Sequence, residues 1–256
     1  MSSLKKIQSF ILPLFFALHS SVILAAAPKG QINFDIGKVI ESASFSDTIQ
    51  IMLALAAVSL IPFFLFTMTS FLRVVIVLGM IRNAVGTQQV PPAQVIVSLA
   101  LFMTIFIMSP VWNEVYDTAV KPYSDGKLSQ SVMFQEAQKP IREFMLRQTR
   151  ERELEMFIEF SGIGELDNVD QVPLYVLIPA YSISELKTAF QMGFVIFIPF
   201  LVIDLIVANV LLSLGMFMLS PVMVSLPFKI LLFVLADGWF LVTRGLLLSF
   251  GTFSTG

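Results

Sequence analysis

Asp204 stands alone in the apolar run "FVIFIPFLVIDLIVANVLLSL", Lys229, Asp237 and Arg244 punctuate the next run, and Glu185 and Lys187 mark the entrance to the first. A charge in such surroundings costs several kcal/mol unless it meets an opposite charge, a dipole or water. Two chemistries answer that requirement. Carboxylates within membranes act as proton or ion relays in transporters, and opposite charges also act as structural pairs that fix the register of packed helices. A relay calls for several acids or histidines along one path, and Asp204 and Asp237 are isolated, so structural pairing is the preferred reading. The candidate pairing set is Lys187, Asp204, Lys229, Asp237 and Arg244, with Arg73 and Arg82 as further cations. Asp237 and Arg244 are two helical turns apart and would share roughly one face of a helix. The partner of Asp204 stays open between this chain and a neighbouring copy.

Other chemistry finds little material. There is no cysteine, which removes disulfides, thiolates and sulfur-ligated metals. The one histidine, His19, lies near the N-terminus, so neither a His-based triad nor a His-rich metal site can be assembled. No G-x-x-x-x-G-K-[ST] phosphate loop is present. Ser213 and Ser225 have no base nearby, which disfavours an intramembrane hydrolase. The expectation is a chain with no catalytic residue, no metal and no cofactor. A formal net charge of -2 with scattered Lys and Arg lacks the footprint of a nucleic-acid binder, so nucleic acid is not an expected partner.

One short segment is unusual for the opposite reason. "LGMFMLSP", Leu214 to Pro221, links two apolar runs and carries no charge, although such links are usually polar. An exposed link presenting Met216, Phe217 and Met218 requires burial against something.

The elements that must position these residues follow from composition. With 56% hydrophobic and 13% charged residues and a mean hydropathy of +0.84, the chain is far more apolar than a soluble domain, where charged residues make up about a quarter. Four stretches reach the roughly 20 apolar residues that a bilayer core of about 30 Å requires: Ile49 to Thr69, Ala93 to Val111, Leu186 to Gly215 and Leu226 to Phe250. They form two pairs around a polar insert. The insert segment "FQEAQKPIREFMLRQTRERELEMFIEF" reads as helix, with Glu143–Arg147 and Arg147–Glu151 four apart and Pro140 in a first-turn position. Pro199 is expected to bend the third run. No part alternates in the strict strand pattern, so the class is all-α.

The N-terminus has Lys5 and Lys6, an apolar run from Phe10 to Leu18, and Ala25 to Ala27 before Pro28. That order is a secretory signal peptide cleaved after Ala27, with an uncleaved anchor helix as the alternative. Cleavage would leave the mature N-terminus outside the cytoplasm. The expected organisation is a signal peptide at 1–27, an N-terminal extracytoplasmic segment at 28–48, a first hydrophobic hairpin at 49–111, a helical extracytoplasmic insert at 112–184 and a second hairpin at 185–256. Arg73 and Arg82 in the first link agree with a cytoplasmic placement of that link.

Long segments carry a family resemblance. "TSFLRVVIVLGMIRNAVGTQQVPPAQVIVSLALFMTIFIMSPVW", "REFMLRQTRERELEMF", "ISELKTAFQMGFVIFIPFLVIDLIVANVLLSLGMFMLSP" and "LPFKILLFVLADGWFLV" together resemble the FliP/SctR family of type III secretion, over about Ser70 to Val242. The resemblance implies a structural and gating subunit, associated with the bacterial inner membrane and the flagellar basal body. Its implied partners are other copies of itself, pentameric in known members, FliQ-like and FliR-like subunits, exported flagellar proteins in transit, and membrane lipid. It also implies that the apolar helices need not cross the bilayer as hydropathy alone would have them. In the family a methionine-rich loop at the position of Met216 to Met218 forms the gasket of the closed channel; here Phe217 replaces the middle methionine. Soft, unbranched methionines suit such a seal, whereas the plainer reading makes them a helix end. The cleavable signal leans toward flagellar members, with an injectisome export-gate subunit and a small-solute or proton transporter as alternatives. The transporter reading would want inverted repeats, and the two hairpins show no convincing internal similarity.

Overall fold

The computed structural model describes residues 45–86, 90–164 and 168–251. Over them the protein is all-helical, with no strand among the described residues. The signal peptide expected at 1–27, with His19, and positions 28–44 of the expected extracytoplasmic segment lie outside the described residues. The chain divides into two units, 1–56 and 57–256. The first contributes the beginning of helix α1 (Phe45–Met68), where Ile49, Met52 and Leu53 are exposed.

After α1 come α2 (Phe71–Val85) and α3 (Ala93–Val115), which continues through a π-helical turn, Tyr116–Val120, into the short α4 (Lys121–Ser124). The insert supplies α5 (Gln130–Gln148), α6 (Glu151–Ser161) and a 3-10 turn at Val169–Gln171. The C-terminal part is α7 (Leu174–Ser213), α8 (Pro221–Leu235) and α9 (Gly238–Ser249). Among the described residues two helices are long and apolar enough to cross a membrane: Ala93–Ser124 and Leu174–Ser213. Two bent pairs would each serve as a broken span, one turning by 69° between Val58–Met68 and Phe71–Val85, the other by 62° between Pro221–Leu235 and Gly238–Ser249.

The first departure from the sequence reading is α2. Its residues were expected to form part of a link, yet Val74, Val77, Leu78 and Ile81 recur at three- and four-residue steps and are buried. That spacing is a helix with a continuous apolar stripe. It packs between α3 and α7 and forms the middle of the core, joined there by Ile107, Met145, Leu177 and Tyr181. The chain turns into α2 at Thr69 and Ser70, where the Tyr181 hydroxyl donates to the Thr69 carbonyl at 2.7 Å. The short link is therefore only 86–92, opened by Gly86 in the left-handed region at φ 85°, a conformation available to glycine without steric cost.

The direction of α2 is set by three contacts. Arg73, near its start, meets Glu185 on α7 and Gln148 at the end of α5. Met80 packs against Gly193, and Gly86 lies beside Leu226 and Lys229. Thus α2 and α7 run side by side in the same sense, from the insert end toward the α7–α8 hairpin. Arg73 sits with the insert rather than across from it, which leaves only Arg82 of the two link arginines at the far end.

Other boundaries also move. α7 begins at Leu174 and passes unbroken through Pro179, Ser184, Glu185 and Pro199, so the expected junction at 184/185 falls inside one helix about 60 Å long. Pro140 lies within α5 and is buried rather than opening a helix. The insert helix instead stops at Thr149 and restarts after Arg150, both extended. Glu143 and Arg147 stay within 3.9 Å of each other, whereas Arg147 and Glu151 fall on different helices. The break is held against α7: the Arg150 N–H donates to Ser184 Oγ at 3.1 Å, and its guanidinium donates to Thr188 at 3.0 Å and Gln191 at 2.6 Å.

Candidate functional site

The α7–α8 hairpin carries Asp204 on one leg and Ser225 and Lys229 on the other. Lys229 Nζ donates to Asp204 Oδ2 at 2.6 Å, and Ser225 Oγ donates to Asp204 Oδ1 at 2.5 Å. Ser225 and Lys229 are four residues apart, hence one above the other on the same face of α8. Both Asp204 oxygens are satisfied, and the Lys229 side chain is almost wholly covered. Lys229 also lies at the end of α2, where Nζ would be 3.9 Å from a Cβ at Gly86. There the unpaired carbonyls of a helix C-terminus favour a cation. One lysine thus touches three elements at one level of the bundle.

Beyond that level the hairpin is uncovered. Nine residues separate Asp204 from the last residue of α7, a rise of about 14 Å. Every residue from Leu212 to Ser220 is exposed, and Met218 is 100% exposed, Phe217 77% and Met216 43%. Gly215 turns the chain at φ 72°, and Pro221 occupies the first turn of α8. The tip is therefore a short apolar cap on two legs that Asp204, Ser225 and Lys229 fasten together below it.

Asp237 and Arg244 are placed differently from the expectation. Both are exposed, and among the described residues no ion pair joins them. The reason is the corner between α8 and α9: Asp237 takes φ 50°, ψ 50°, so the two are not separated by two turns of one continuous helix. Gly238 is required beside it, because a Cβ there would come within 2.3 Å of the Phe233 ring. Lys187 pairs with neither of the aspartates. Its Nζ donates to Glu153 Oε1 on α6 at 2.7 Å, and that hydrogen bond holds the Glu153 carboxyl below the usual carboxylate range.

The strongest buried polar assembly was not singled out from sequence. Arg73 Nε donates to Glu185 Oε2 at 2.9 Å, and its Nη2 donates to the other Glu185 oxygen and, at 2.9 Å, to Gln148 Oε1. Nη1 donates to the Ser249 carbonyl at 3.1 Å and to Ser249 Oγ at 3.0 Å, and the guanidinium stacks 3.9 Å from the centre of the Phe250 ring. Gln148 Nε2 closes the set by donating to the Phe250 carbonyl at 3.1 Å. A planar guanidinium serves this role because its five donors form a fixed fork. Four helices are thereby tied at the insert end. The available signal was an arginine interrupting an apolar 3–4 pattern, with an unpaired glutamate at the entrance to the next run.

The FliP family model matches residues 54–246, which includes Asp204, Ser225 and Lys229, the tip, and Arg73, Gln148 and Glu185 of the insert-end assembly, and stops short of Ser249 and Phe250. The "Flagellar biosynthetic protein FliP" of Bacillus subtilis (strain 168) is 49% identical over 205 residues, 80% of this chain and 93% of the relative. That of Pectobacterium carotovorum subsp. carotovorum is 45% identical over 241 residues, 94% of this chain and 89% of the relative. That of Caulobacter vibrioides is 42% identical over 245 residues, 95% and 91% of the two chains. With one family model spanning the helical unit and identities of this size over nearly whole chains, the protein belongs to the FliP family.

Proposed function

We propose that the chain is a structural and gating subunit of the flagellar type III protein export channel. It forms, with further copies and with FliQ-like and FliR-like subunits, a closed pore for unfolded flagellar proteins in the bacterial inner membrane. In this reading it performs no catalysis, and the driving energy comes from elsewhere. The signal at 1–27 is removed, and the insert lies outside the cytoplasm. Family membership supports the export role, since the relatives are named for flagellar biosynthesis.

The observation that carries the gating role is the uncovered apolar tip. Met216, Phe217 and Met218 are exposed among the described residues, and an exposed apolar cap of this kind calls for burial by other chains. Tips from several copies converging on one axis would close a pore through many weak contacts. Methionine side chains, each with three rotatable bonds, yield to a passing chain and re-form the seal. The Asp204, Ser225 and Lys229 contacts fasten the legs, so the tip moves as a defined hairpin instead of fraying.

Deleting Met216 to Met218 tests this. The expected product is a complex that still purifies at its normal size but raises ion conductance across membranes that contain it, because the fastening residues lie below the deletion. Equal, low conductance in the deleted and wild-type complexes would refute closure by this tip.

A further inference from the structure

Along α7 the residues that pack on the rest of the chain and those that do not repeat with a seven-residue period. With Val195 as position a of the heptad abcdefg, the buried Gly193, Phe200 and Leu211 fall at f and c, and so does Asp204. Positions a and d are Val195, Ile198, Val202, Leu205, Asn209 and Leu212, every one of them exposed. This uncovered stripe is about 26 Å long. Toward the insert the same stripe is covered by the chain itself. There a and d are Tyr181, Ser184, Thr188 and Gln191; the first two are buried, and Arg150 donates to the last three. A face that begins as an interface within the chain thus continues past Gln191 with nothing on it among the described residues.

The composition of the stripe identifies what covers it. Valine at a with leucine or isoleucine at d, repeating every 3.5 residues, is the pattern by which parallel helices pack knobs into holes. Phe194, Leu201 and Ile206, at g and e, are also exposed, where a two-stranded seam would usually carry charges; the apolar face is wide enough for more than one neighbouring helix. Asn209 is the one polar residue of the six. Among the described residues its side-chain amide makes no hydrogen bond; only its backbone carbonyl is engaged, accepting from Ser213 Oγ at 2.8 Å. A primary amide both donates and accepts, and on an apolar helix its natural partner is a polar group on a facing helix. Rotation about an axis along the helices keeps every residue at its height. A second copy of the chain therefore brings an identical amide to the level of Asn209, which no unrelated helix does by construction.

We propose that the α7 helices of neighbouring copies pack in parallel along the stripe from Val195 to Leu212, with their Asn209 amides joined in a closed ring, each donating to the next. The inference rests on the gating reading, in which the tips at the ends of these helices meet on one axis, and it names what holds them level. The apolar a and d residues alone would tolerate a slip of one heptad, about 10 Å, since a would still meet a. That slip sets the Asn209 amide against Val202 and leaves it unpaired, so the single asparagine fixes the register and thereby the height of each tip.

Cross-linking tests the packing. The chain has no cysteine, so a single introduced cysteine reports only its own surroundings. Val202→Cys, Leu205→Cys and Asn209→Cys, with Val207→Cys on the opposite face as control, are oxidised with copper phenanthroline in membranes that carry the full-length complex. The expected result is chains linked in pairs for the three stripe variants, because like positions then lie within the reach of about 7 Å that a disulfide allows, and unlinked chains for Val207→Cys. Complexes that assemble but give no linked pairs at any stripe position would overturn the proposal, since the stripe would then face lipid, an open lumen or another kind of subunit. Native mass spectrometry of Asn209→Val tests the register. The variant should keep or raise its resistance to heat while its copy number becomes mixed, as happens when a lone asparagine at position a is lost; a single, unchanged copy number would overturn the role of Asn209. Linked pairs together with a tip deletion that does not leak would refute gating and leave the packing standing, whereas a leaking deletion without linked pairs would refute the packing alone.

Discussion

Replacing Arg73 by Met removes the centre of the insert-end assembly and leaves Glu185, whose side chain is 0% exposed, without its cation. The lost contacts are two hydrogen bonds to Glu185, one to Gln148, two to Ser249 and the stacking on Phe250. Breaking a buried pair by removing one partner costs about 3–5 kcal/mol, chiefly because the remaining charge is stranded. At about 2–4 °C per kcal/mol for a unit of this size, the melting temperature should fall by about 6–20 °C. The same reasoning makes the double replacement informative. Arg73→Met with Glu185→Leu leaves no stranded charge, and well-packed apolar substitutes for buried pairs are often neutral, so at least half of the lost stability should return. Thermal unfolding of the purified protein in one detergent, read for both single variants and the double, gives the coupling directly. A fall of under about 2 °C for Arg73→Met, or a double variant as unstable as the sum of the singles, would refute the stranded-charge account.

Three further outcomes follow from the same geometry. Gly193→Ala should destabilise by about 1–3 kcal/mol, the usual cost of overpacking, because its Cβ would fall 2.2 Å from Met80 Sδ; Met80→Ala in the same chain should restore most of it, and chemical denaturation decides. Asp204→Asn leaves the buried Lys229 ammonium without its counter-charge and should lower the yield of intact complex on size-exclusion chromatography; a normal yield refutes a fastening role for the pair. Glu153 is held below its ordinary value, so its pairing with Lys187 stabilises fully above the unfolded carboxylate value and is lost as pH falls through the lower folded one. Hydrogen exchange in α6 should quicken in that acidic window in the wild type and stay flat in Glu153→Gln; parallel profiles refute it.

Composition and local period were enough to establish an all-helical chain with long apolar segments, because both are properties of neighbours three and four residues apart. The same local information marked Asp204 as a residue in need of a partner and "LGMFMLSP" as an uncharged link. It did not separate α2 from a loop, since an apolar stripe interrupted by Arg73 and Arg82 reads as a charged link until its opposite face is known to be buried. Nor did it rank the cations available to Asp204. Lys229 sits on it because the α7–α8 turn brings positions 25 residues apart to one level, and Arg73 meets Glu185 across 112 residues. The corner at Asp237 likewise defeats the two-turn spacing to Arg244, because a single left-handed residue redirects everything after it. Spacing along the chain constrains which side chains share a helix face; which faces meet, and which charges are thereby stranded or paired, is decided only when the helices pack.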